Sequence, residues 1–112
     1  MKFPTAKKIR ESMKQSNVET MKLAKENFIE QKEKFLNAIT ISSNQGFFEC
    51  ICHLLYPSEF SCKYIKEIYQ EEYKRIAISF FTSLGYKIFF FPPSAVEPTA
   101  WARMIINWRD EE

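Results

Sequence analysis

Glycine, histidine and aspartate are almost missing from this chain of 112 residues, which holds two glycines, one histidine (His53) and one aspartate (Asp110). Two glycines leave no phosphate-cradling loop, and no G-x-S-x-G elbow is present. A lone aspartate in the C-terminal tail cannot complete a Ser-His-Asp arrangement around the lone histidine, and the glutamates fall on helical surfaces where solvated charge is expected. The expectation is a protein that is not an enzyme. Cysteine is also sparse. Cys50, Cys52 and Cys62 make an odd number, and Met1 to Glu11 is charged without an apolar centre, so no signal peptide is expected and the thiols should be reduced. Long hydrophobic runs are lacking too. The nearest, residues 76–91, falls short of the roughly 20 residues that cross a bilayer and contains Ser79, Thr82, Ser83, Gly85 and Lys87. A soluble, cytoplasmic protein with no membrane partner is expected.

Charge of one sign is scarce as well. The formal net charge is +2, and it is unevenly spread: residues 1–38 hold nine Lys/Arg against five acids, and residues 39–112 hold seven against nine. That gives a weakly basic helical region beside a near-neutral body, too little for the extended basic patch that duplex DNA demands. What the chain has in quantity is apolar and aromatic surface, 46% and 16% of its residues. This is the composition of one folded domain spanning residues 1–112 with a single modest core.

The most legible stretch runs from Leu84 to Pro93. Gly85 suits the left-handed conformation that ends a helix, the next six residues are aromatic or β-branched except Lys87, and two prolines stop the strand. Side chains alternate along a strand, so Tyr86, Ile88 and Phe90 take one face while Lys87, Phe89 and Phe91 take the other. Both faces are apolar, and each needs a cover.

Upstream, Pro4 suits a first helical turn, and Ala6, Ile9 and Met13 share a side. Ser16-Asn17-Val18-Glu19 matches a capping box, which predicts a bend or break there. From Val18 to Ala38 a narrow, nearly heptad stripe of Met21, Ala24, Phe28, Phe35 and Ala38, with Gln31 in its polar gap, suits helix pairing on the sheet or on a copy of itself. Residues 40–46 read as a polar connector and Phe47 to Tyr56 as a strand, with Phe48, Cys50, Cys52 and Leu54 as the core set. A turn over Pro57 to Ser61 carries two serines as possible N-caps. The next helix shows Ile65, Ile68, Tyr69, Tyr73, Ile76, Phe80 and Leu84 on a broad face, and Ile78 and Phe81 off it, hinting at a second contact. Residues 92–99 form a loop longer than a hairpin needs, and Ala100 to Trp108 a last strand. The fold class expected is α+β: a helical region over 4–38, as one long helix or a pair, and a β-α-β-β body over 46–109. The helices cover one face of a three-stranded sheet, with a right-handed crossover and the last two strands antiparallel.

The opposite face then gathers Phe47, Glu49, Ile51, His53, Lys87, Phe89, Phe91, Arg103, Ile105, Asn107 and Arg109. Rings interleaved with cations can stack a base and pair with a phosphate, so the candidate ligand-binding residues are Lys87, Phe89, Phe91, Arg103, Arg109 and His53, joined by Trp101 beside the proline loop. Self-association or docking on another protein would bury the same rings. Cys50-x-Cys52-His53 invites a zinc reading, but the alternation sends the thiols to the core and the imidazole away, so no metal and no other cofactor is expected.

The Lys/Glu-rich helix ending at Ala38, Gly46-Phe47-Phe48, Leu84-Gly85-Tyr86-Lys87-Ile88 and the closing Ile105-Ile106-Asn107-Trp108 together resemble small accessory proteins of tailed bacteriophages, of the early, counter-defence type. Departures are Asn107, where serine would be looked for, and the aromatic Phe89-Phe90-Phe91; no family binding residue carries over. The resemblance implies a phage protein in the host cytoplasm that neutralises a host factor without catalysis. The expected function is a homo-oligomer sequestering a small, anionic, nucleotide-like ligand. The alternative is an inhibitor or structural accessory docking on a host or virion protein.

Overall fold

The computed structural model describes residues 3–57, 60 and 62–110. It is an α+β fold with two helices on one side of a three-stranded antiparallel sheet. Helix α1 spans Ala6–Asn44, strand β1 Glu49–Leu54, helix α2 Lys63–Ser83, strand β2 Lys87–Phe91 and strand β3 Ala102–Asn107. β3 lies between the other two and is antiparallel to both. The β1-α2-β2 unit is therefore a split crossover, with two parallel strands parted by the chain's last one.

α1 corrects the expected break at Ser16. Thr5 caps the helix, its Oγ1 accepting from the Lys8 amide at 3.2 Å, with Pro4 just outside. From there to Asn44 neither glycine nor proline interrupts propagation, and Ser16 is an interior residue whose carbonyl also accepts from the Thr20 hydroxyl at 2.8 Å. A capping-box pattern acts only where a helix has exposed amides to cap. The helix also runs through the expected connector and ends six residues later than Ala38. Gly46 and Gly85 close the two helices in the same way. Each has a positive φ, 87° and 90°, and amides of Gly46 and Phe47 reach back to Ser43 and Ser42, as those of Gly85 and Tyr86 reach Thr82 and Phe81, all at 3.0 Å. This is the Schellman closure, and it launches a strand within a few residues both times.

α2 begins at Cys62, whose side chain makes no capping bond, rather than at a serine; Ser58 and Ser61 lie outside the described residues. Its buried line is Tyr69, Tyr73, Ala77 and Phe81. Phe81 is therefore core, and Leu84, expected inside, is 60% exposed. The shift has a cause in packing: α2 must face α1 as well as the sheet, and Phe81 meets Phe28 and Phe35 of α1 with ring centroids 6.1 Å apart in both cases. α1 lies over β1 and α2 over β2. The two helices run in the same direction, because Asn17, Asn27 and Gln31 of α1 meet the hydroxyls of Tyr64, Tyr69 and Tyr73 of α2 in order. Gln31 also donates to Asn27 Oδ1 at 3.5 Å, so the stripe's polar gap is a register lock and not a flaw.

Beneath them Cys50, Cys52, Leu54, Ala102, Met104 and Ile106 are buried, and Ile88, Phe90 and Tyr86 pack against that core. Phe48 corrects the expected core set, being 53% exposed. It precedes the strand's first residue, and its carbonyl accepts from the Trp108 amide at 2.9 Å while its ring stays outside the core.

Candidate ligand-binding surface

The register of the sheet sorts its open face into three cross-strand rows. Glu49, Asn107 and Lys87 form one, Ile51, Ile105 and Phe89 the next, and His53, Arg103 and Phe91 the third. Directly paired side chains on a sheet sit about 5 Å apart at Cβ, so each row is a continuous contact. The middle row is apolar, and the outer rows carry the charge. Phe89 and Phe91 are both nearly half exposed and Ile51 rather more than half, whereas the residues alternating with them lie under the helices.

Arg103 is held from two sides. Its Nε donates to the Pro92 carbonyl at 2.8 Å, and its guanidinium lies 6.0 Å from the centre of the Phe91 ring. These two contacts fix the plane of the group, while among the described residues no hydrogen bond is made by its terminal nitrogens. A guanidinium held this way is ready to bind a phosphate or carboxylate through two parallel N–H bonds. His53, opposite Arg103 in the register, is half-buried and its Nδ1 finds no partner among the described residues. Pro92 was not legible as part of this surface. Its role depends on Phe91 pairing with Arg103, which brings Pro92 to a side chain eleven residues further along the chain.

Arg109 stands at the other end. It follows Arg103 by six residues, about 20 Å along a strand, so the two cannot grip one small anion. Its guanidinium lies 5.5 Å from the exposed Phe48 ring, and its amide donates to Asn107 Oδ1 at 3.0 Å. Lys87 belongs to that end of the face through its pairing with Asn107. Trp101 is parted from the set altogether. It is only 9% exposed and sits on the helical side, 5.4 Å from the Tyr73 ring and stacked on Tyr56. There it borders a separate groove of about 650 Å³ with Tyr56, Lys66, Gln70 and Thr99, and its indole Nε1 has no hydrogen-bond partner among the described residues. The bond from its amide to the Leu54 carbonyl, 2.8 Å, continues the β1–β3 ladder and swings the indole under α2.

The cysteines lie behind the sheet. Cys50 and Cys52 are buried and Cys62 is exposed. A hydrogen bond with Cys50 and burial push the Cys52 thiol up, and the same bond draws Cys50 down. Among the described residues no three His, Cys, Asp or Glu side chains are grouped to hold a metal ion, and no helix is long and apolar enough to cross a membrane.

Comparison with protein-family models, curated proteins and solved structures gave no match. The site is therefore read from its own residues.

Proposed function

We propose that the open face of the sheet captures a small anionic, nucleotide-like ligand without transforming it. The observation that supports this most directly is Arg103, tethered through Nε to the Pro92 carbonyl beside the half-exposed rings of Phe91 and Phe89. Phosphate on the guanidinium and base on a ring is a division of labour that needs no glycine loop. Sequestration of a nucleotide signal, as a phage counter-defence protein would perform, is the setting we propose for it. A second reading is favoured by the Ile51-Ile105-Phe89 row: a flat apolar strip suits docking on a host or virion protein better than it suits a phosphate.

Titration calorimetry with mono- and dinucleotides separates the two. Ligand capture predicts measurable affinity that falls about tenfold or more in Arg103→Ala and in Phe89→Ala, and changes much less in Arg109→Ala. Equal affinity in the wild type and Arg103→Ala would falsify the assignment. Affinity for an oligonucleotide alone, falling steeply with added salt, would replace it with single-strand binding.

A further inference from the structure

The first helix is longer than the body it covers. Every residue from Phe3 to Ser16 is exposed, and burial begins at Thr20. α2 first meets α1 where Asn17 bonds Tyr64, at 3.3 Å, one residue past the start of α2 at Lys63. Ala6 to Ser16 therefore project as an arm about 16 Å long. A helix of three turns standing alone is marginal in water.

The arm is not a featureless tether. Along the covered part of α1, the body-facing positions are Thr20, Ala24, Asn27 with Phe28, Gln31, Phe35 and Ala38. Continued backward in steps of three and four, the same line passes through Asn17, Met13, Ile9 and Ala6. Ile9 and Met13 are about half exposed, and Phe3, just before the helix, is 94% exposed. Around this line the arm carries Lys7, Lys8, Arg10 and Lys14 against Glu11 alone.

A receptor of opposite character opens where the arm leaves the body. Met21, Tyr64 and Ile68 floor a groove of about 450 Å³ between α1 and α2, rimmed by Glu67 and Glu71. Glu72 at its end is already paired with Arg75, but Glu67 and Glu71 make no ion pair among the described residues. The chain's own arm points away from this groove and cannot enter it. A second copy can.

We infer that two copies pair antiparallel through their arms, each placing its basic, aromatic tip on the other's acidic groove. With the twofold axis near Met13, Ile9 of one copy lies beside Asn17 of the other, Ala6 lies beside Thr20 at the mouth of the groove, and Phe3 reaches past Met21 to lie over Ile68. The contact is isologous and closes as a dimer. Seam, charge and reach agree on the same register. The inference goes beyond the sheet-face reading and is independent of it, since the open face takes no part.

Sedimentation equilibrium on the full chain, without ligand, tests it. A dimer is expected. Ile9→Glu with Met13→Glu should sediment as a monomer whose near-ultraviolet circular dichroism is unchanged, because both side chains lie outside the core. Glu67→Lys with Glu71→Lys should weaken the dimer at least about tenfold, and adding Lys7→Glu with Lys8→Glu should recover part of the loss. A wild-type monomer at every soluble concentration, a trimer or larger ring, or a dimer indifferent to both sets of substitutions would each overturn the proposal. A monomer would leave the arm to a different protein, and an indifferent dimer would place the interface elsewhere.

Discussion

The two faces of the sheet are built from the same residue types and meet opposite fates. On one, Ile88, Phe90, Met104 and Ile106 disappear beneath two helices; on the other, Phe89, Phe91, Ile51 and Ile105 stay in reach of solvent. Hydrophobicity alone does not separate them. The difference lies in how polar groups are handled. Beneath the helices the side-chain amides of Asn27 and Gln31 are matched to tyrosine hydroxyls of α2, which takes most of the polar groups there out of reach of a ligand and leaves the Trp101 indole N–H at the edge unpartnered among the described residues. On the open face Arg103 is anchored at one end and unsatisfied at the other, and His53 keeps an unpartnered ring nitrogen. A fold stabilises itself with the first kind of surface and recognises other molecules with the second.

The sharpest way to break the comparison is to truncate one ring on each side. Phe28 is 1% exposed and touches Phe35, Tyr73, Phe80 and Phe81. Phe28→Ala should cost about 3–5 kcal/mol in urea unfolding, because its neighbours can only partly collapse into the space. Phe89→Ala, at a site 47% exposed, should stay within about 0.5 kcal/mol and show its effect on ligand affinity instead. A Phe89→Ala loss comparable to that of Phe28→Ala would mean the outer face is covered in the protein as it exists in solution.

The tyrosines under the helices give a subtler asymmetry, one of pH. Burial raises the Tyr69 phenol from 10.0 to about 12, and burial pushes Tyr73 up as well. An unfolded chain loses its phenolic proton near pH 10 while folded Tyr69 keeps it to about 12. Across that window the unfolded state binds fewer protons, so stability is intact below pH 10 and falls as pH rises. Tyr69 alone accounts for a loss on the order of 2 kcal/mol. Tyr69→Phe should start less stable, since Asn27 loses its partner, but should decline less steeply between about pH 9 and about pH 11.5. Parallel declines in the two proteins would show that Tyr69 does not hold its proton. The open face has no tyrosine and should contribute nothing to this slope.

Much of this was legible before the structure, and what was not shares one physical reason. Alternation along Lys87–Phe91 and Ala102–Asn107 assigned the faces because strand periodicity is local. Strand order escaped, since nothing in Ala102–Asn107 marks it as the central strand until both partners are in place. The arm escaped for the same reason: Ile9 and Met13 read as one more apolar stripe, and only the position of α2 reveals that nothing among the described residues covers them. Trp101 was the converse. An aromatic beside a proline loop looked available, but the ladder bond from its amide to Leu54 turns it inward. Local chemistry names the candidates; the long-range pairing decides which remain exposed.

One glycine connects the two faces, and its expected effect is smaller than the loss from Phe28→Ala. Gly85, at φ 90°, reverses the chain from α2 into β2 and so fixes which of Lys87–Phe91 turn inward. A Cβ there would meet nothing within 4 Å, so Gly85→Ala tests backbone conformation without adding a clash. It should cost about 1–2 kcal/mol through the left-handed φ alone. If the turn holds, Phe89 and Phe91 stay outward and ligand affinity is unchanged. If the strain is instead relieved by shifting β2 one residue along β3, the inner and outer sets exchange: Phe90 emerges beside Ile105 and Phe89 goes under α2. Fluorine NMR on fluorophenylalanine-labelled protein distinguishes the two, because an exchange would shield Phe89 and expose Phe90. The buried side's larger packing energy predicts that the register holds and the turn bears the strain.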